Sequence, residues 1–442
     1  MVSELLRQVR LLDPSAQVDR VVDILLDAGT VVAISSQLTD LTDAVQIRDC
    51  KGLILGPGLV DLYSYSGEPG FEARETLQSL AESAIAGGFT RLTLLPEMIP
   101  ALDGPDGLSR LRSQAPPHLP LQIQAWGAIT RNQAGHQLVD LTELITAGVI
   151  GFSDGRPINN LVQLRRLLEY LHPQAIPIAL WPCDQSLAGQ GVVREGIEAL
   201  RSGLPECPTL AETTALAALL ELVAVVKTPI HVIRVSTARS VQLLKAAKAQ
   251  GLPVTASTTW MHLLWNSEAV HTYDSNLHLN PPLGNPADQQ ALIEGLETGV
   301  LDAIAIDHRS YTYEEKRQSF SESLPGAIGL QLALPLLWQT FVASRRWTGL
   351  DLWRYLSAQP AHCLNQKPPT ITVGQPAEMT LFDPQAIWTA NAAALRSLGS
   401  NTPYLGQSIC GQVLQTWQRN CASAGGEHGP DPSTLSVQQR ST

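Results

Sequence analysis

The chain has 442 residues, of which 44% are hydrophobic and 16% charged, so it can bury a large core and is not expected to be disordered. Its formal net charge is −11 and it has no dense lysine and arginine run, which argues against nucleic acid as a partner. No segment approaches the ~20 apolar residues of a membrane span, and the N-terminus shows no export signal. The six cysteines lack Cys-x-x-Cys spacing, which indicates free thiols in a cytoplasmic protein.

The centre of the chain alternates short apolar runs with helical patterns, which is typical of βα units around a parallel sheet. Strands are predicted over 53–63, 90–96, 121–130, 149–154, 176–182, 230–236, 253–259 and 303–308. Helices are predicted over 74–86, 161–171, 210–226, 237–250 and 288–297. Eight such units favour a closed (β/α)8 barrel over an open sheet. The predicted fold class is therefore α/β, with the barrel over residues 53–369.

Both ends of the chain differ from this centre, because apolar and polar residues alternate there as in half-buried strands. We predict that residues 1–52 and 370–419 pair into one small accessory β-domain beside the barrel. Residues 422–442 carry glycine, serine, proline and glutamine with almost no bulky apolar side chain. This tail is predicted to be disordered.

One segment, PGLVDLYSYSGEPG at residues 57–70, carries the most information about function. Further motifs follow in order along the chain: AGGFT at 86–90, LLPE at 94–97, GFSDG at 151–155, RVSTA at 234–238, NPPL at 280–283 and IDH at 306–308. Together they resemble the dihydroorotase branch of the amidohydrolase superfamily, and the resemblance spans nearly the whole chain. It implies an amidohydrolase-type barrel that hydrolyses a cyclic amide with the help of bound metal, in that family zinc.

The resemblance also shows that the metal ligands have been replaced. In the family, four histidines, an aspartate and a bridging carbamylated lysine or aspartate hold one or two divalent ions. The matching positions here are Tyr63, Tyr65, Trp181, Arg234, Asp307 and Asp154. Neutral tyrosine is a poor ligand, tryptophan offers no lone pair in its ring plane, and arginine stays charged. We therefore expect no bound metal and a vestigial Asp307, with Arg234 within ion-pairing reach of Asp307 or Asp154.

The substrate positions have changed as well. The family's arginine after the histidine pair is Gly67 here, and the asparagine of its MPN segment is Glu97. Only Asn280 keeps the family's residue type. The aromatic replacements also have a purely structural interpretation, in which Tyr63, Tyr65 and Trp181 fill a cavity. His231, His262 and His308 lie in or beside predicted strands, where a lone histidine more often forms structural hydrogen bonds than binds metal.

These positions lead to three functional hypotheses. The first is a non-catalytic dihydroorotase-like protein of pyrimidine biosynthesis that serves as structural partner of aspartate transcarbamoylase, as the resemblance implies for such homologues, and that forms an oligomer. The second is an active dihydroorotase, or a relative that acts on hydantoin- or allantoin-like rings. The third is a small-molecule sensor that uses the vacated pocket.

Overall fold

The computed structural model describes residues 3–39, 41, 44–174 and 176–418, so the predicted tail over 422–442 lies outside the described residues. The strands are β1 (Glu4–Asp13), β2 (Val18–Asp27), β3 (Thr30–Ser35), β4 (Gln46–Asp49), β5 (Ile54–Pro57), β6 (Leu59–Ser64), β7 (Phe89–Leu94), β8 (Gln122–Gly127), β9 (Gly151–Phe152), β10 (Ala179–Leu180), β11 (Val193–Arg194), β12 (Glu206–Cys207), β13 (Ile230–Val232), β14 (Val254–Thr259), β15 (Ala303–Ala305), β16 (Met379–Thr389) and β17 (Ser408–Trp417).

The helices are α1 (Leu77–Ala86), α2 (Pro105–Gln114), α3 (Leu141–Ala147), α4 (Leu161–Leu171), α5 (Gln185–Ala188), α6 (Ile197–Ser202), α7 (Leu210–Val226), α8 (Ala238–Ala249), α9 (Trp260–Leu264), α10 (Pro286–Glu297), α11 (Tyr313–Lys316), α12 (Ala333–Leu337), α13 (Gly349–Trp353) and α14 (Gln359–Cys363). Short 3-10 helices occupy Arg131–Gln133, His172–Gln174, Ser267–Thr272 and Ser275–Leu277, and π-helical turns occupy Trp338–Val342 and Arg354–Ala358. None of the helices in the described ranges is both long and apolar enough to cross a membrane.

Eight parallel strands form the centre of the molecule. They make two four-stranded runs, β6-β7-β8-β9 and β10-β13-β14-β15. Pairing of Phe152 with Ile178 joins the two runs at one seam. At the other seam the backbone N–H of Asp307 donates to the carbonyl of Tyr63 at 3.1 Å, and that of Tyr65 donates to the carbonyl of His308 at 2.9 Å. The strands therefore follow one another around a (β/α)8 barrel, which confirms the predicted fold class.

The predicted helices are present where the sequence places them, but some of them begin or end at different residues. The helices predicted over 161–171 and 210–226 have those bounds. The helix predicted from 74 begins at Leu77, because the side chain of Thr76 accepts from the backbone N–H of Ser79 and the Ser79 hydroxyl accepts in return. This reciprocal cap satisfies backbone donors that would otherwise lack partners, so it sets the first turn.

The accessory sheet contains strands from both ends of the chain. Its order is β17-β16-β5-β1-β2-β3, and β4 pairs in parallel with β1. Since β5 belongs to this sheet and β6 to the barrel, the single strand predicted over 53–63 is two strands. The chain passes between them at Gly58, whose backbone N–H donates to the carbonyl of Glu378 at 3.0 Å. A Cβ on Gly58 would lie 2.1 Å from Oγ1 of Thr90, so only glycine fits this crossing.

Candidate functional site at the barrel mouth

The candidate site lies where the barrel strands end, at the face on which active sites of this architecture occur. Residues identified from the sequence follow six of the strands, namely Tyr65 after β6, Glu97 after β7, Asp154 after β9, Trp181 after β10, Arg234 after β13 and Asp307 after β15. Except for Asp154, they line one cavity of about 400 Å3.

Arg234 is the central residue of this site and is 2% exposed. Its Nε donates to Oδ2 of Asp307 at 2.8 Å and its Nη2 donates to Oδ1 at 2.7 Å. Nη1 donates to the carbonyl of Gly155 at 2.8 Å. The predicted ion pair is thereby confirmed, and Asp307 is its acidic partner. Although burial alone would lower the pKa of Arg234, the nearby carboxylate of Asp307 raises that pKa well above its usual value.

The two tyrosines that replace the family's histidine pair bind Arg234. The hydroxyl of Tyr65 accepts from Nη2 at 2.5 Å, and that of Tyr63 accepts from the backbone N–H of Arg234 at 3.1 Å. Burial raises the pKa of both phenols, and the neighbouring positive charge only partly offsets this effect. Both hydroxyls are therefore neutral at physiological pH, which makes them poor metal ligands.

Trp181 packs against the same guanidinium, with the carbon of the Arg234 guanidinium 4.7 Å from the centre of the indole. Cation–π contact of this kind stabilises a buried positive charge. The side chain is 8% exposed, and its Nε1–H has no acceptor among the described residues.

Asp154 has a different role from Asp307. Its Oδ1 accepts from the backbone N–H groups of Ile129 and Thr130 at 2.7 and 3.0 Å, and its Oδ2 accepts from the Thr130 hydroxyl at 2.6 Å. These bonds tie β9 to the segment after β8. Burial raises the pKa of Asp154, and the hydrogen bonds from Thr130 and Ile129 oppose that rise. Asp154 thus braces the barrel wall rather than joining the Arg234 pair.

The three substrate-pocket positions have separate environments. Gly67 is packed against backbone, since a Cβ there would lie 2.4 Å from the carbonyl oxygen of Glu75. Oε1 of Glu97 accepts from Nη2 of Arg156 at 2.6 Å and from Nη2 of Arg309 at 2.9 Å. Burial would raise the pKa of Glu97, yet Arg309 and Arg156 bring it below the usual value. Asn280 is exposed and lines the cavity.

Arg156 and Arg309 are the site residues that the sequence interpretation missed. Each directly follows a motif it had identified, Arg156 after GFSDG and Arg309 after IDH, where side chains at strand ends reach the barrel mouth. Their place just after a strand end was the sequence signal that could have identified them as site residues. The Arg309 guanidinium stacks on the ring of Tyr65 at 4.0 Å from its centre.

The histidines near the mouth are held in structural hydrogen bonds. His231 bonds to Oγ1 of Thr255 and Oγ of Ser257, both at 2.9 Å. His262 bonds to Oγ1 of Thr259 at 2.7 Å and to the carbonyl of Pro281 at 3.2 Å. Burial lowers the pKa of His231 to about 3 and that of His262 to about 4, so both rings are neutral.

His308 forms a buried pair with Glu75 beneath the mouth. Its Nδ1 accepts from the backbone N–H of Gly329 at 3.1 Å, so its Nε2 carries the proton and faces Oε2 of Glu75 at 3.3 Å. These contacts join the end of β15 to the loop before α1. None of the three histidines is arranged as a metal ligand.

The residues at the mouth do not fit the zinc that the family resemblance implies. A guanidinium occupies the position of one ligand and already uses the carboxylate of Asp307 and the hydroxyl of Tyr65 as acceptors. A dication beside Arg234 would also meet direct charge repulsion. Within residues 3–39, 44–174 and 176–418, no group of three or more histidine, cysteine, aspartate or glutamate side chains is placed to hold a metal ion.

Comparison with known proteins agrees with this architecture. Residues 52–238 match the family described as Dihydro-orotase-like. A "Probable dihydroorotase-like protein" of Synechocystis sp. is 42% identical over 93% of this chain and 98% of its own length. A dihydroorotase of Syntrophus aciditrophicus is 35% identical over 93% of this chain and 97% of its own length.

Solved structures show the same fold at lower identity. The L-hydantoinase of Arthrobacter aurescens superposes with a TM-score of 0.80 and 21% identity, over 95% of this chain and 97% of that one. Relatives above 30% identity over almost the full length establish common descent. The chain belongs to the dihydroorotase family of the amidohydrolase superfamily.

Proposed function

We propose that this chain is a dihydroorotase-like protein that has lost catalysis and acts in pyrimidine biosynthesis as a structural partner of aspartate transcarbamoylase. The proposed loss of catalysis rests on the bidentate pair between Arg234 and Asp307, which stands in the place of the metal centre. Hydrolysis in such a barrel needs about three good protein ligands and an open position where the metal activates water. The arginine supplies a fixed positive charge at that point but no open coordination position.

The remaining groups at the mouth do not replace that chemistry. A general base must be free to accept a proton near the operating pH. Asp307 is bound by Arg234, and Glu97 is bound by two arginines that help to lower its pKa. His262 is neutral, and both of its ring nitrogens have partners. The substrate arginine is Gly67, where backbone leaves no room for a side chain.

The proposed partnership with aspartate transcarbamoylase rests on a contrast between the scaffold and the chemical positions. The scaffold motifs and the accessory sheet are intact along a chain that aligns with dihydroorotases over more than nine-tenths of its length. Chemical positions have changed while the scaffold has been kept, as expected of a protein selected for docking. We place this assembly in the cytoplasm as part of the proposal, in keeping with the five free cysteines among the described residues.

The competing function is hydrolysis of a cyclic amide, and the relatives named dihydroorotase favour it. Metal content of the purified chain, measured together with turnover of dihydroorotate and of hydantoin with and without added zinc, separates the two. Our proposal expects substoichiometric zinc and no turnover in either condition. Stoichiometric zinc with turnover would show that the chain is an enzyme.

A further inference from the structure

The accessory sheet ends in an edge strand with no further strand beside it. Among the described residues β17 pairs only with β16, so one of its two edges is unpaired. Apart from the ladder with β16, the described residues form no backbone-to-backbone hydrogen bond with β17. The carbonyl of Gly411 accepts from Nε1 of Trp388 at 2.9 Å. An unpaired row of backbone donors and acceptors is a template for another extended chain.

The strand β17 lacks most of the features that protect such edges. Natural edge strands are shielded by charged side chains, prolines, bulges or a covering element. The sequence of β17, SICGQVLQTW, has neither a charge nor a proline. It has a bulge at Leu414, because Leu381 pairs with Gln415 and Phe382 with Val413. The side chain of Leu414 is 40% exposed. A long uncharged edge of this kind is suited to pairing with a further strand.

A groove of about 590 Å3 runs along this edge. Six consecutive residues of β17, 411–416, line it. Successive side chains of a strand point to opposite faces, so a groove that touches all six lies along the edge. The end of α1, the segment before β8 and the segment after β16 complete its walls, and its apolar side chains are Ile85, Leu119, Trp388, Val413 and Leu414.

The shape of the groove favours a single segment over a second copy of the chain. The Thr416 hydroxyl donates to the carbonyl of Ile85 at 2.8 Å, which holds β17 against α1. Because three other parts of the chain border the groove, it fits one extended segment better than the edge of another sheet. Two copies, each of formal net charge −11, would also repel each other.

The groove carries one charge of each sign, on Glu82 and Arg396. Oε1 of Glu82 accepts from Nε2 of Gln78 at 2.6 Å. Arg396 is exposed, and its backbone N–H donates to Oε1 of Gln331 at 2.9 Å. Neither charge is in an ion pair with the described residues. A segment without net charge, with one acidic side chain within reach of Arg396, therefore complements this groove.

We propose that the groove binds an extended segment of another protein, which pairs with the outer edge of β17 as an eighth strand of the accessory sheet. Its backbone supplies the hydrogen bonds, alternate apolar side chains fill the groove, and an acidic side chain contacts Arg396. This proposal depends neither on the loss of catalysis nor on aspartate transcarbamoylase being the partner. Each of the three can therefore fail without the others.

Three forms of one peptide, acetyl-TVEVTVK-amide, test backbone pairing on the full chain. One form is unmodified, and the other two carry N-methyl groups on alternate residues, so that each has one blocked edge. Titration calorimetry should give a Kd of about 100 μM or tighter for the unmodified peptide. One methylated form should bind at least about tenfold more weakly and the other nearly as well, since only one peptide edge faces β17. Equal affinities of the two methylated forms, or no binding of the unmodified peptide up to about 1 mM, would overturn the proposal.

A charge placed on the edge should block the groove. Leu414→Lys should weaken binding of the unmodified peptide by about tenfold or more, because the new charge is buried when the peptide docks. Leu405→Lys is the matched control, since Leu405 is 47% exposed and does not line the groove. Melting midpoints of both variants should match the wild type. Equal losses of affinity in the two variants would contradict docking at β17.

The contact with Arg396 is tested by a cycle of two changes. Arg396→Gln should weaken the unmodified peptide and leave unchanged a peptide in which glutamine replaces glutamate. Arg110→Gln, on the exposed surface of α2, is the control and should affect neither peptide. If Arg396→Gln weakens both peptides equally, the acidic side chain does not contact Arg396 and that part of the proposal is wrong.

Hydrogen exchange of the full chain locates the bound peptide. The unmodified peptide at saturation should slow exchange in β17 and leave β3, at the other end of the sheet, unchanged. Slowing elsewhere but not in β17 would refute the proposal. Full protection of β17 in the free monomer would mean that the chain covers its own edge. A dimer of the free chain that Leu414→Lys dissociates would assign the groove to a second copy, and either result contradicts the proposal.

Discussion

Arg234 and Asp307 face each other from two barrel strands that end two residues before each of them, and both have left-handed backbone conformations, with φ of 58° and 51°. Non-glycine residues rarely adopt this conformation, which costs of order 1–3 kcal/mol where it is held in place. Two charge-assisted hydrogen bonds between the side chains offset that cost. The pair thus links the ends of the two strands at the barrel mouth.

Removing the arginine should destabilise the protein strongly. Arg234→Ala leaves Asp307 without its partner in a largely buried site, so we expect a loss of about 3 kcal/mol and a clear fall in the melting midpoint. The double change Arg234→Met with Asp307→Leu removes both charges and should cost less than Arg234→Ala. Thermal melts of the variants, with Arg165→Ala as an exposed control, test this. An Arg234→Ala protein that melts with the wild type would refute the stabilising role.

Restoring the first two ligand types should not restore a metal site. We expect Tyr63→His with Tyr65→His to bind no stoichiometric zinc and to show no dihydroorotate turnover. The reason is that Arg234 and Trp181 still occupy the positions of two further ligands. Metal analysis after dialysis against zinc provides the measurement. Adding Arg234→His and Trp181→His to that variant is the positive comparison. Tight zinc binding by the first pair alone would show that the arginine can move aside.

The buried His231 should make stability depend on pH in a defined way. Its folded pKa of about 3 lies below the unfolded value near ~6.5, so the unfolded chain binds more protons between these values. His231 therefore contributes stability that is present above pH ~6.5 and is lost as the pH falls toward ~3. His231→Gln should remove up to about 1.4 kcal/mol of this dependence per pH unit.

The measurement is the difference between wild type and His231→Gln in urea midpoints at about pH 7.5, 5.5 and 4.5. Taking the difference matters because other groups titrate in the same range with the opposite sign. Burial raises the pKa of Asp61 to about 8, so its contribution falls as the pH rises. His136→Gln on the exposed surface is the control. Parallel pH curves for wild type and His231→Gln would contradict the buried neutral state.

Gly67 should tolerate no side chain. A Cβ there would lie within 2.8 Å of three backbone atoms, the carbonyl oxygens of Glu75 and Phe71 and the nitrogen of Glu75. Because backbone cannot yield as a flexible side chain does, Gly67→Ala should cost about 2 kcal/mol or more. Gly104→Ala, where no atom lies within 4 Å of the added Cβ, should cost about 1 kcal/mol or less. Equal melting midpoints for the two variants would argue against the close packing of this loop.

The proposed assembly predicts a stable complex with aspartate transcarbamoylase. Permanent assemblies bury roughly 2,000 Å2 or more, so the two proteins mixed at micromolar concentration should co-elute in size-exclusion chromatography. The acidic chain should prefer a partner with basic rims, so raised salt should slow the association. Separate elution, with no effect of either protein on the melting or activity of the other, would leave the assembly without support.

The sequence by itself determined the family, the order of the eight strands and the loss of the ligand types at Tyr63, Tyr65, Trp181 and Arg234. These are local properties, since apolar periodicity sets the elements and residue type sets the chemistry that each position can perform. It could also place Arg234 and two acids at one mouth, because the carboxyl ends of parallel strands meet there.

Only the tertiary structure decided which contacts form. In the folded chain Arg234 pairs with Asp307, whereas Asp154 accepts hydrogen bonds from the backbone N–H groups of Ile129 and Thr130. The tertiary structure also joined Arg156 and Arg309 at one oxygen of Glu97 and left no room at Gly67. The physical reason is that such choices depend on a few tenths of an ångström between side chains from distant strands. Those distances exist only after the barrel closes and its side chains pack.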